Sequence, residues 1–116
     1  MSAPFILIDK GDVNLFESIK DLERYVESPD IAGYQVFGAN GQVLHLTTIH
    51  PASTPKRWAN VVSVDRVTVS ESRVHEIAKL EILLRDFLFR STGKLFDQSA
   101  LPELLTILQA TFGFTR

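Results

Sequence analysis

His75-Glu76-Ile77-Ala78-Lys79 comes within one residue of His-Glu-x-x-His, the pattern that sets two imidazoles one helical turn apart on a zinc ion. Lys79 stands where the second imidazole is needed, and an ammonium group repels a metal ion. The segment reads as a solvated helix edge, and zinc hydrolysis is rejected. The other histidines do not rebuild a metal site. His45 and His50 are an odd number of residues apart, so on one strand they point to opposite faces. His45 reads as a half-buried strand residue, and His50, before Pro51, as an exposed strand end.

Nucleophilic and phosphate chemistry fare no better. There is no Gly-x-Ser-x-Gly elbow, and Ser53, Ser63, Ser70 and Ser72 lie in polar loop or strand contexts. Gly93-Lys94 lacks the upstream glycine of a phosphate-binding loop, since Leu88 occupies that place. Gly33, Gly38 and Gly41 are spaced wrongly for a dinucleotide fingerprint. Cysteine is absent, which excludes disulfides, thiol nucleophiles and thiolate metal sites. One polar set, His45, Asp65 and Arg66, could serve a small-molecule enzyme or sensor if a deep pocket joined its members. The sequence otherwise predicts a protein that is not an enzyme and takes no metal or cofactor.

What remains is a binding protein, and its composition narrows the partner. The 116 residues predict a single domain with a core that needs no staples. A net charge of -2 with interleaved acids and bases argues against a nucleic-acid binder, which would carry a basic stripe. Phe5-Ile6-Leu7-Ile8 is too short for a signal-peptide core, and no run approaches the ~18 apolar residues that span a membrane. A cytoplasmic protein is expected, with no nucleic-acid or membrane partner.

The elements that would position a binding surface follow from pattern. Phe5 to Ile8 and Val13 to Phe16 read as short strands around Asp9-Lys10-Gly11-Asp12. Ser18 reads as an N-cap with Asp21 at the third helical position, ahead of Ile19, Leu22 and Val26 at helical spacing. Ser28-Pro29-Asp30 stops that helix. Asn40-Gly41, between Tyr34-Gln35-Val36-Phe37 and Gln42-Val43-Leu44-His45-Leu46, predicts a two-residue type I′ turn. That turn would set Ala39 opposite Gln42, Phe37 opposite Leu44 and Gln35 opposite Leu46. Both faces of the hairpin then carry apolar side chains, so either both are covered or one is a docking surface. Val61 to Val69 reads as a third long strand, bent at Asp65-Arg66. A helix is expected from about Ser72 to Arg90, ended by Gly93 in the left-handed region. A last helix, about residues 99–112, would carry Leu101, Leu104, Leu105, Leu108 and Phe112, with Pro102 in its first turn. The expected class is α+β: a mostly antiparallel sheet of three to five strands with a central Asn-Gly hairpin, packed by two or three helices.

Two surfaces are candidates for a partner. The first is the acidic set Glu17, Asp21, Glu23, Glu27 and Asp30, whose plain alternative is a solvated face interleaved with Lys20 and Arg24. The second is Lys56-Arg57-Trp58 beyond the proline-bracketed loop His50 to Pro55. Trp and Arg concentrate at interface hot spots, although a lone Trp also serves as a core anchor.

Two stretches together resemble a known group. One is Phe16-Glu17-Ser18-Ile19-Lys20-Asp21-Leu22-Glu23-Arg24-Tyr25-Val26-Glu27 followed by Tyr34 to Leu44. The other is Arg66-Val67-Thr68-Val69 running into Leu83-Leu84-Arg85-Asp86-Phe87-Leu88. This layout resembles the small bacterial immunity proteins of polymorphic and contact-delivered toxin systems. The likeness covers roughly the first three-quarters of the chain; residues beyond Leu95 lie outside it, and the last helix reads as an appended element. The resemblance implies a cytoplasmic protein that binds a cognate protein toxin and occludes its active site, and it transfers no functional residues. The alternative from another class is a non-catalytic scaffold or adaptor that acts as a homo-oligomer, a homodimer in its simplest form.

Overall fold

The computed structural model describes residues 3–26, 28–49 and 66–115. Among them, β1 (Phe5–Asp9), β2 (Asp12–Phe16), β3 (Tyr34–Phe37), β4 (Gln42–Ile49) and β5 (Arg66–His75) form one sheet in the order β2-β1-β3-β4-β5. Every neighbouring pair is antiparallel. Helices α1 (Ile19–Tyr25), α2 (Ile77–Thr92) and α3 (Leu101–Phe112), with a 3-10 helix at Ser28–Gly33, pack on this sheet. The architecture is α+β, as expected. No helix among the described residues is long and apolar enough to cross a membrane.

Successive side chains of a strand point to opposite faces, and every residue from Phe5 to Ile8 is buried. Both faces of the sheet are therefore covered at β1. Ile6 and Ile8 join Leu15, Phe37 and the leucines of α2 and α3 in one cluster. Phe5 and Leu7 join Phe16, Leu22, Val26, Val36, Leu44 and Val67 in a second cluster beneath α1. The face left open for a partner in the sequence reading is thus occupied by α1 along much of its length. On the other side, Leu80, Leu84 and Leu88 of α2 interlock with Leu104 and Leu108 of α3, all with at most 1% exposure. Each such side chain contributes about 1.5–3 kcal/mol relative to exposure.

The β3–β4 connection corrects the expected register. Gly38 N–H donates to Gln42 O at 2.8 Å and Gly41 N–H donates to Gly38 O at 3.1 Å, so Ala39-Asn40-Gly41 form a three-residue loop. Gly41 is left-handed at φ +82°, while Asn40 does not have the positive φ that a type I′ turn demands of both central residues. A left-handed residue after the turn absorbs one position of the ladder. Phe37 therefore pairs with Val43 and Val36 with Leu44, not Phe37 with Leu44. A one-residue slip reverses faces: Phe37 belongs to the α2/α3 side and Leu44 to the α1 side. The type I′ geometry instead belongs to β1–β2, where Asp9 pairs with Asp12 and both Lys10 and Gly11 have positive φ, 51° and 90°. Arg90 on α2 holds that turn, donating to Gly11 O at 2.7 Å and to Asp86 Oδ2 at 2.9 Å.

The helix expected from Ser72 begins later, at Ile77, because residues up to His75 remain in β5. Two bonds keep them there. Ser72 Oγ donates to Val43 O at 2.7 Å, and Gln42 Nε2 donates to Ser72 O at 2.8 Å across an irregularity in the β4–β5 ladder. Val74, assigned to the helical stripe from sequence, is consequently exposed at 53%. The opening residues of the expected third strand, Val61 to Asp65, lie outside the described residues. Elsewhere the local signals hold. Ser18 Oγ accepts from Asp21 N–H at 3.1 Å, Gly93 closes α2 at φ +74°, and Pro102 sits in the first turn of α3.

Gly41 carries two demands at once, since Glu76 N–H donates to its carbonyl at 2.9 Å and a Cβ there would stand 2.7 Å from Ile77 Cγ1. Gly41→Ala is expected to lower the unfolding free energy by about 1–3 kcal/mol, the cost of strained backbone, with additional loss from the contact. Gly33→Ala meets nothing within 4 Å and should stay within about 0.5 kcal/mol of the parent. Urea midpoints at constant m-value measure both, and equal midpoints would refute the constraint placed on Gly41.

Candidate functional site

A concavity lies between α1 and the segment that follows α3. Its volume is about 770 Å³, and it is lined by Glu17, Asp21, Arg24, Tyr25, Phe114 and Thr115. The helical period explains Asp21, Arg24 and Tyr25, which at i, i+3 and i+4 share one flank of α1, while Leu22 and Val26 are buried in the core; Glu17 precedes the extended N-cap Ser18 and borders the groove from outside the helix. The Ser18 cap anchors the N-terminal end of that flank. Tyr25 rests its ring on Phe16 at 5.2 Å between centroids yet keeps 44% of its surface exposed. Glu17 and Asp21 are exposed and have no ion pair among the described residues.

The opposite wall comes from Gly113, where the chain leaves α3 and turns back over the sheet. Phe114 packs against the α2/α3 cluster. Thr115 N–H donates to Leu15 O at 2.7 Å, and Thr115 Oγ1 lies 3.0 Å from Asn14 Oδ1. A second, smaller cavity of about 170 Å³ lies beneath this segment, lined by Val13, Asn14, Leu15, Leu108, Phe112, Gly113 and Thr115.

The acidic set is therefore divided. Glu17 and Asp21 meet in the groove. Glu23 does not; its Oε2 accepts from Val69 N–H at 2.9 Å, on the flank of α1 that reaches β5. That carboxylate satisfies a backbone donor of β5, an edge strand among the described residues. Glu27 and Lys56-Arg57-Trp58 lie outside the described residues, and Asp30 is placed by its backbone alone, in the 3-10 helix. Of the polar set His45, Asp65 and Arg66, His45 is exposed on β4 rather than half-buried, and Asp65 lies outside the described residues. His75 ends β5, exposed, and Glu76 pairs with Lys79 at 3.6 Å. Among the described residues no group of three or more His, Cys, Asp or Glu could hold a metal ion.

Tyr25, Arg24, Phe114 and Thr115 complete the groove without having been singled out from sequence. The i+3 and i+4 spacing from Asp21 was available to find the first two. Nothing local announces that Phe114 and Thr115 fold back onto β2. Comparison with family models, with curated proteins and with solved structures finds no match. The groove has to be read from its own chemistry: two carboxylates without an ion pair among the described residues, Glu17 before the cap of α1 and Asp21 in its first turn, beside Arg24 and the ring of Tyr25, suited to receiving a basic group.

The role of Glu23 has a direct check. Glu23→Ala leaves Val69 N–H without its acceptor and is expected to cost about 1 kcal/mol, with faster amide exchange at Val69. Glu23→Gln keeps an acceptor oxygen and should retain most of that stability. Parent-like exchange at Val69 in the alanine variant would remove the edge-capping role.

Proposed function

We propose that this chain is a cytoplasmic immunity protein, a binding protein that seats a cognate protein toxin on the groove between α1 and residues 113–115 and so occludes the toxin's active site. One observation carries the reading: Glu17, just before the Ser18 cap, and Asp21, in the first turn of α1, have no ion pair among the described residues and border one groove with half-exposed Tyr25. A toxin that acts on nucleic acid carries a basic, phosphate-binding cleft. Carboxylates held on a preorganised helix complement such a cleft and accelerate encounter with it. Binding of this kind asks for no chemistry from the inhibitor, only a stable fold with one complementary surface.

A second reading, a homo-oligomeric scaffold, draws on Ile82 and Phe89. They stand seven residues apart on the outward side of α2 with 63% and 48% exposure. Light scattering separates the two readings, since an obligate assembly never runs as a monomer.

Co-expression with the adjacent open reading frame tests the first. The expected result is protection from killing and co-purification of a complex. Glu17→Lys combined with Asp21→Lys should weaken that complex by roughly 30-fold, about 2 kcal/mol, without lowering the urea midpoint. Continued killing with no complex would overturn the proposal.

A further inference from the structure

We propose that the β2 edge is a strand-addition site, which takes an extended segment of a partner protein carrying alternating basic and apolar residues in place of residues 113–115. The inference deepens the reading of the groove as a partner site and rests on it. Among the described residues the sheet ends at β2 and β5. At β5 a carboxylate occupies one edge donor, Glu23 on Val69 N–H. At β2 the chain's own backbone does so: Thr115 N–H on Leu15 O is the first rung of a further strand, and the Thr115 hydroxyl meets Asn14 beside it. A strand edge that already accepts one extended segment has the donors and acceptors to accept another.

Among the described residues the resident segment is tied to β2 by one backbone and one side-chain hydrogen bond, both from Thr115. Thr115 borders both cavities, about 770 Å³ on the α1 side and about 170 Å³ on the α3 side, so an incoming segment has room on either flank. The two cavities also differ in chemistry. On the α1 side stand Glu17, Asp21 and the open face of Tyr25, which attracts a cation. Arg24 on the same wall leaves a single net negative charge, which one lysine or arginine neutralises. On the α3 side Val13, Leu15, Leu108 and Phe112 make an apolar seat. Neighbouring residues of an extended chain point to opposite faces. A segment paired with β2 therefore sends one side chain to the carboxylates and the next to the apolar seat, which defines the alternation.

The probe is an acetylated, amidated peptide, Thr-Val-Lys-Val-Thr, titrated into the ¹⁵N-labelled full chain. The expected shifts fall on residues 13–16 and on the α1 flank. The same peptide with Glu in place of Lys should bind about tenfold more weakly. Thr115→Pro removes the resident N–H donor and should tighten binding of the lysine peptide, while Asp21→Lys should reverse the preference between the two peptides. Equal affinities for both peptides, shifts confined to other surfaces, or no gain in the Thr115→Pro chain would each overturn strand addition. So would dimerisation of that variant in place of peptide binding, which would make a second copy the occupant. Toxin protection with a peptide that ignores β2 refutes the strand mode alone. Peptide binding at β2 without toxin protection refutes the identity of the partner alone.

Discussion

β1 is the constraint on which the other elements depend. Four consecutive residues, Phe5, Ile6, Leu7 and Ile8, are each at most 5% exposed, and alternation sends them to opposite sides of the sheet. An antiparallel sheet commonly keeps one face in water. At β1 this one does not, because a strand apolar on both sides must lie inside three layers, whereas His45 and Thr47 of β4 stay exposed. The pairing of β1 with both β2 and β3 then fixes the middle of the sheet. α2 and α3 are drawn to the side of Ile6 and Ile8, and α1 to that of Phe5 and Leu7. The place of α1, and with it the groove, follows from the burial of β1.

How much of this was legible depended on the range of each signal. Local chemistry read well: the Ser18 cap, the left-handed Gly93 and the leucine stripe of α3 are set by neighbours within one or two turns. The class, α+β with an antiparallel sheet, followed from such signals in sequence. The register between β3 and β4 did not. Asn-Gly serves either a two-residue turn, with both residues left-handed, or a three-residue loop, with only the glycine so. The choice lies with tertiary structure. Here Glu76 N–H donates to the Gly41 carbonyl, and Ile77 fills the space that a Cβ on Gly41 would need. The start of α2, some thirty-five residues away in sequence, thus bears on a turn that local composition leaves open. The same reach kept Ser70 to His75 extended, since Gln42 and Val43 hold Ser72 in the ladder.

The candidate site was half legible for a related reason. An acidic face can be seen in composition, but the partner of each carboxylate cannot. Glu17 and Asp21 lie on the flank that opens toward residues 113–115, whereas Glu23, a short step along the same helix, turns to Val69. The difference comes from the path of α1 over the sheet, which β1 sets. The aromatic and backbone half of the groove was invisible from sequence. Phe114 and Thr115 carry no motif and acquire a role only because α3 ends where β2 has a carbonyl to offer.

α1 thus governs both borders of the sheet in opposite senses. Its Glu23 side fills one donor on β5, Val69 N–H, with a side chain. Its Glu17 side stands back from β2, leaving the border to a short stretch of main chain with open volume on either flank. A fold that needed only to avoid edge-to-edge association could have used a carboxylate at both borders. The asymmetry places Glu17 and Asp21, which have no ion pair among the described residues, the exposed ring of Tyr25 and residues 113–115 around one groove, which is why the proposed basic segment can engage all three together.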